Sequence, residues 1–328
     1  MSILEIKKPL SHAGIMPNYQ CTAACRHCLY ACSPSYGDGY MTLPAMDEMF
    51  GLLREGGCGS VHVGGGEPFL DFEGLLTLLE QARKFGIVVD YIETNGYWAT
   101  DEALIRKRLS ALKKVGGDTF CISVDPFHCE YVPYGRPLHF AKVCSEVGFG
   151  YFLWQERFLR MLHHVNPDVP HDRAALERSI GKDYILRTST AYGIRIGGRA
   201  IQIEQEYSPC KPLENLLDEK PCLELVSTGH FHIDMYNQFI PPGCTGLALP
   251  LTEVVYGIKP GKYPVYESLY FGGVAALYRF ALEHGFAANK EGYTSSCTLC
   301  FFIRKFLSEK DLFAELNAKH YIEAMKYY

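Results

Sequence analysis

The sequence predicts an α/β fold built on a parallel sheet, followed by a small cysteine-rich α+β extension. Two observations carry this. Short apolar runs alternate with amphipathic stretches from about residue 12 to residue 200, and beyond residue 200 that rhythm breaks while cysteines accumulate. Strand-like runs fall at 13–16, 60–63, 87–92, 119–124, 149–154 and 193–196. Helical patterns lie between them. Met46, Met49, Phe50 and Leu53 follow i, i+3, i+4, i+7 spacing, with Thr42 as cap and Pro44 in the first turn. Leu75, Leu78, Leu79 and Ala82 repeat the pattern, as do Ile105, Leu109 and Leu112 after a cap at Thr100. Six βα units are too few for a closed eight-stranded barrel. They suit an open partial barrel or a doubly wound sheet, and in both the ligand site lies at the carboxyl ends of the strands.

Past residue 200, Phe231-His232-Ile233-Asp234-Met235-Tyr236, a turn at Asn237-Gln238, and Phe239-Ile240 read as a hairpin. Helices are expected at 271–284, ending at Gly285, after Cys300, and over 311–325. The organisation is therefore a domain at 1–200 and a second at 201–328.

Composition narrows the function. The chain has 328 residues, 48% hydrophobic and 21% charged, an ordinary globular mixture that can bury a sizeable core. A formal net charge of −5 argues against a nucleic-acid surface. Arg106-Lys107-Arg108 and Lys113-Lys114 read as the solvated face of a helix. No signal-like start and no run of 18 apolar residues is evident, so a cytoplasmic protein without a membrane span is expected. Thirteen cysteines, an odd number, make a poor disulfide framework in that compartment. Metal ligation explains them better, with some left as small core residues.

The deciding motif is Cys21-Thr-Ala-Ala-Cys25-Arg-His-Cys28, directly after the first strand. Three thiolates within one loop can hold three corners of an iron–sulfur cubane; zinc would need a fourth ligand, for which Cys32 stands nearby. The second strand ends in Gly64-Gly65-Gly66-Glu67-Pro68, the third in Glu93-Thr94-Asn95-Gly96, the fourth in Ser123-Val124-Asp125-Pro126. A nucleotide-binding reading of the glycines fails on spacing, since G-x-G-x-x-G is absent and Pro68 interrupts the helix it would need.

The cysteine spacing, with these strand ends in order, resembles the radical S-adenosylmethionine (radical SAM) superfamily over roughly residues 13–200. The resemblance implies a partial (β/α)6 TIM-like barrel. It implies a 4Fe–4S cluster on Cys21, Cys25 and Cys28, with one iron left open for the methionyl amine and carboxylate of S-adenosylmethionine. Gly65, Gly66 and Glu67 match the family's Gly-Gly-Glu-Pro segment, Glu67 being placed to hold the amine. Asn95, Ser123 and Asp125 carry over as ribose or methionyl contacts, against a turn-forming reading of Asn-Gly and Asp-Pro. Gly197-Gly198-Arg199 is a further candidate cofactor contact. The family often has an aromatic residue where His27 stands. The implied chemistry is reductive cleavage of S-adenosylmethionine, giving a 5′-deoxyadenosyl radical that takes hydrogen from a substrate, with reduced ferredoxin or flavodoxin as electron donor.

The extension resembles a SPASM/twitch auxiliary-cluster segment, with Cys222, Cys244, Cys297 and Cys300 as ligands of a second 4Fe–4S cluster and zinc as the alternative. Its stretch between Cys222 and Cys244 is longer than that pattern. The segment Asp125-Pro126-Phe127-His128-Cys129 is similar to one in small radical SAM peptide epimerases, which also have a late Cys-x-x-Cys. Those enzymes keep a hydrogen-donor cysteine beside a cluster ligand; here Cys244 is flanked by Gly243 and Thr245, which puts epimerisation in doubt and leaves Cys129 as the candidate donor. Cys58, Cys121 and Cys144 read as core residues, and Cys210 has no assigned role. Three functions compete: an oxidoreductase or epimerase-like enzyme acting on a ribosomally made peptide, the same chemistry on a small metabolite, and a non-catalytic iron–sulfur or zinc protein.

Overall fold

A computed structural model describes residues 4–37 and 39–326. Its first half runs β1 (His12–Met16), α1 (Leu43–Glu55), β2 (Ser60–Val63), α2 (Phe72–Lys84), β3 (Val88–Thr94), α3 (Glu102–Val115), β4 (Thr119–Ser123), a single turn α4 (Pro126–Cys129), α5 (Gly135–Val147) and β5 (Gly150–Trp154). Helices α6 (Leu159–Leu162), α7 (Arg173–Ile180), α8 (Tyr184–Tyr192) and α9 (Ala200–Tyr207) follow. The rest comprises β6 (Phe231–Asp234), β7 (Gln238–Ile240), β8 (Leu249–Pro250), α10 (Leu251–Tyr256), α11 (Pro264–Glu283), α12 (Ser296–Ser308) and α13 (Ala318–Met325).

All strands join one open sheet in the order β5-β4-β3-β2-β1-β6-β7-β8. The pairs from β5 to β6 are parallel, and β7 and β8 add antiparallel pairs. Strand alternation divides the two faces. Ile15, Val61, Val63, Ile92, Phe120, Ile122, Phe231 and Ile233 are buried in the hydrophobic core. Against the first half of the sheet lie α1, α2, α3 and α5, touching one another in sequence order, and α10 continues the row beside α1. The opposite face carries Glu93, Cys121, Ser123, Trp154 and His232, which border a cavity.

The expected parallel α/β sheet, an open TIM-like fragment, is therefore present, but its sixth strand comes from elsewhere. The Gly-Ile-Arg-Ile run at 193–196 forms no strand. Gly193, at φ 67°, closes α8 in the left-handed conformation, and a turn then leads into α9. The sixth parallel strand is β6, which pairs with β1 in register Gly14↔His232 and then turns back as the expected hairpin with β7.

Two helices also differ from expectation. The helix around 271–284 begins at Pro264 and bends where Gly272 and Gly273 leave helical geometry. Of 311–325 only α13 is helical, because Asp311 has φ 54° and Leu316 bridges to Leu247. The cap of α3 is Asp101, which accepts from the Leu104 amide, and not Thr100. Among the described residues no helix is long and apolar enough to cross a membrane.

Candidate active site

The loop between β1 and α1 carries the first three thiols, and buried contacts fix its shape. Cys21 donates its amide to Ser33 O at 3.1 Å, and Cys28 donates to Cys25 O at 3.0 Å. From the segment before α9, the buried Arg199 guanidinium donates to three loop carbonyls: Cys25 at 3.0 Å, Ala31 at 2.7 Å and Cys32 at 2.5 Å. Its backbone amide bonds Cys28 O at 3.1 Å. Gly198 permits this approach, because a Cβ there would stand 2.2 Å from Leu29 O and 2.5 Å from Cys28 O.

Cys21, Cys25 and Cys28 all border one cavity of about 520 Å³. Gly65 and Gly66, in the turn after β2, border it too, and the turn lies directly on the thiol loop: a Cβ on Gly66 would stand 2.0 Å from Gln20 O. Ser123, at the carboxyl end of β4, completes this group.

The thiols differ in acidity for physical reasons. Burial pushes Cys21 well above its ordinary value. Cys25 is raised by burial, against the opposing effect of His128, whose ring bonds its sulfur. Cys28 moves the other way, down to about 5, because the Cys32 thiol donates to it and the Arg199 charge lies close. Cys32, giving that bond, is raised and also borders the cavity. It is part of the site's surroundings, a closer position than its sequence spacing indicated.

Glu67, Asn95 and Asp125 are not among the residues bordering the cavity. Glu67 is buried and ties two strand ends together: it accepts from the Phe69 amide at 3.2 Å, Thr94 Oγ1 at 2.9 Å and the Asn95 amide at 2.8 Å. Burial raises its pKa to about 7 despite these bonds. Asn95 Nδ2 donates to Thr22 Oγ1 at 3.1 Å and to Cys21 Sγ at 3.7 Å, so it supports the thiol loop. Asp125 caps α4 and pairs with His128 Nδ1 at 2.8 Å. Burial opposes its ionisation, but the His128 charge outweighs that and holds it well below the usual carboxylate range. His128 thus links Asp125 to Cys25. Cys129 is in the core, away from the cavity lining, and burial pushes its thiol up to about 12. His27 stacks on Phe127 at 4.7 Å and borders the cavity as an aromatic ring would.

The cavity also has walls that motif reading did not single out: Glu93, Cys121, Trp154, Tyr192, Arg195, His230 and His232. Cys121 is buried, as a core residue would be, yet it faces the cavity beside Ser123. Period-two alternation along β3 and β4 was the available signal for Glu93 and Cys121. Arg195 and Tyr192 come from α8 and the turn after it, for which no local pattern exists.

A second thiol group forms in the carboxyl-terminal part. Cys222, Cys244, Cys297 and Cys300 lie close enough to perturb one another, and a bond from the Cys244 thiol lowers Cys222 to about 7. Arg304, buried, bonds Thr245 O at 2.7 Å, Tyr321 Oη at 2.6 Å and the Cys300 sulfur. Its Nε finds no acceptor among the described residues. Cys210 is exposed. Two groups of three ligands have donor atoms within 4.8 Å of one another among the described residues, His12/His62/His230 and His27/Asp125/His128.

Residues 15–145 match a family model described as the Radical SAM superfamily. No curated protein matches the chain in sequence. Solved structures with a similar course include BtrN in complex with AdoMet and 2-DOIA, at 14% identity and TM-score 0.44 over 83% of this chain and 90% of that one. Streptococcus suis SuiB bound to precursor peptide SuiA is similar at 16% identity and TM-score 0.44, over 91% and 76%. Native anSMEcpe with bound AdoMet is similar at 15% identity and TM-score 0.43, over 97% and 96%.

Proposed function

We propose, from the match of residues 15–145 to the Radical SAM superfamily model, that the chain is an enzyme cleaving S-adenosylmethionine at a 4Fe–4S cluster on Cys21, Cys25 and Cys28 to oxidise a ribosomally made peptide. The observation that carries this reading is the convergence of those three thiols with Gly65, Gly66 and Ser123 on one cavity. The donor set fits a cubane: three soft ligands on a braced loop, one of them already acidic. The glycine turn fits as well, because side chains at Gly65 and Gly66 would collide with the thiol loop.

When bound, the cluster and S-adenosylmethionine supply reductive cleavage of the sulfonium and a carbon radical that takes hydrogen from the substrate. The chain's residues orient and exclude. Arg199 and Asn95 hold the thiol loop, and Glu67 fixes the two strand ends from beneath. His27 offers a ring face at the cavity, while Trp154 and Tyr192 supply aromatic walls that keep water out. The volume of about 520 Å³ suits a cofactor and a substrate side chain.

The second thiol group is proposed as an auxiliary 4Fe–4S site on Cys222, Cys244, Cys297 and Cys300, within a carboxyl-terminal unit of residues 201–328. Arg304 supports it by setting a buried cation, with a donor to spare, beside the thiols. The peptide reading rests on the likeness of this segment to SPASM/twitch extensions; a small metabolite is the second reading, supported by the volume of the cavity.

The test is direct. Anaerobically reduced protein given S-adenosylmethionine is expected to release 5′-deoxyadenosine and methionine, and Cys25→Ala to release neither. Unchanged cleavage by Cys25→Ala overturns the placement. Absence of S-adenosylmethionine binding by the wild type points instead to a non-catalytic metal protein.

A further inference from the structure

Three imidazoles, from β1, β2 and the residue before β6, meet in an arrangement that the chemistry above does not use. His12 opens β1, His62 lies on β2 and His230 immediately precedes β6. The four residue steps from His12 to Met16 span about 13 Å of strand, so His12 stands at the other end of β1 from the loop of Cys21, Cys25 and Cys28, while His230 also borders their cavity. One donor nitrogen from each histidine lies within 4.8 Å of the others.

With the His12 proton on Nδ1, the hydrogen bonds of this group leave two acceptors facing each other unless a cation joins them. His12 Nδ1 faces Asp90 Oδ2 at 3.3 Å and Ser60 Oγ at 3.2 Å; the carboxylate acceptor favours the proton there, which leaves Nε2 with a lone pair. That Nε2 lies 3.0 Å from His62 Nδ1. If His62 donates to it, His62 Nε2 carries the other lone pair and points it at Glu93 Oε1, 3.8 Å away, acceptor against acceptor. A metal bound between His12 Nε2 and His62 Nδ1 reverses this: the proton of His62 moves to Nε2 and faces the carboxylate. Both histidines then have the carboxylate behind the far nitrogen that orients metal-bound imidazole. The 3.0 Å separation is close to the roughly 3.3 Å between two nitrogens on tetrahedral zinc.

The surroundings also hold the rings in place. A Cβ at Gly14 would stand 2.6 Å from the His62 ring and 2.4 Å from that of His232, so glycine is required where these imidazoles meet. Tyr91 stacks on His62 at 4.9 Å.

We propose that His12, His62 and His230, gathered from β1, β2 and the residue before β6, form a zinc-binding site. Three neutral nitrogen donors and no thiol select a borderline cation such as Zn²⁺ over magnesium or calcium. The site fastens β6, more than two hundred residues beyond β1 in sequence, to β1 and β2.

The experiment uses protein reconstituted with iron and sulfide, so that its thiols are occupied, then equilibrated with zinc chloride and dialysed. About one zinc per chain is expected, with X-ray absorption showing a nitrogen and oxygen shell at about 2.0–2.1 Å and no sulfur. His230→Ala changes an exposed side chain and is expected to weaken zinc binding at least about tenfold; Asp90→Asn, which removes the carboxylate behind His12, about tenfold as well. Circular dichroism of both variants should match the wild type. No retained zinc, a sulfur-containing shell, or wild-type affinity in both variants overturns the proposal.

Discussion

Arg199 donates to three loop carbonyls at once, so removing its guanidinium leaves three buried acceptors without their partner. Arg199→Gln is expected to destabilise the iron-free protein by about 3 kcal/mol in urea titration. Arg199→Lys should restore little of this, because a point charge on a flexible stem cannot span three acceptors. Asp234 makes a different prediction. It is buried and accepts from Tyr19 Oη at 2.8 Å, and burial raises its pKa from 3.8 to about 6. The folded protein therefore holds this proton more tightly than the unfolded chain, and stability from this group falls as pH rises from about 4 to about 6. Asp234→Asn cannot titrate. Between pH 4 and pH 7 its stability relative to wild type should shift in its favour by about 2–3 kcal/mol, read from urea midpoints at the two pH values. Neither residue announced its role in the sequence. Arg199 was a weak candidate for cofactor contact, and only the fold shows its guanidinium reaching the carbonyls of residues 25, 31 and 32.

Helix α12 begins with the Cys-x-x-Cys pair in its first turns, capped by Ser295, whose Oγ accepts from the Thr298 amide at 3.2 Å. Ser295→Ala should cost about 1 kcal/mol and let that end fray. Iron held by the second thiol group should then be lost faster to a chelator, while iron at the first stays put. Equal loss from both would place α12 outside the metal site. At this scale the sequence was legible where the signal is local. The i, i+3, i+4, i+7 spacing located α1, α2 and α3, and alternation located β1 to β5. It failed at residues 193–196, where Gly-Ile-Arg-Ile has the period of a strand but follows a glycine that closes α8. It also could not show that Phe231–Asp234, read correctly as half of a hairpin, pairs in parallel with β1, because nothing local encodes a partner so distant in the chain. Likewise the cysteine spacing marked the thiol loop, whereas Glu93, Tyr192 and His232 reach the cavity only through the packing of separate elements.

For the molecule as a whole, the two proposed cubane sites predict about eight irons per chain after anaerobic reconstitution. Replacing Cys222, Cys244, Cys297 and Cys300 with alanine should remove about half, and zinc in place of that half would end the auxiliary-cluster reading. S-adenosylmethionine at a hundredfold excess over its Kd should stabilise the reconstituted protein by about 2.7 kcal/mol, seen as a raised Tm. Gly66→Ala should show no such rise. Product mass separates two fates of the substrate. Loss of the second electron to an auxiliary cluster gives a peptide two hydrogens lighter; quenching by a thiol in deuterated water gives an unchanged skeleton with one carbon-bound deuterium. The buried position of Cys129 favours the first outcome, and a deuterated product that vanishes in Cys129→Ala would reverse that preference. The place of β6 in the sheet has one more consequence. It covers the flank of β1 that β2 leaves open, along Ala13–Met16. A chain cut near residue 200 would lay bare a row of unpaired amides and carbonyls on an otherwise buried apolar strand, a template for joining with its own copies. Such a fragment should scatter light as growing aggregates, and one that stayed monomeric would show that β1 does not need β6 as its cover.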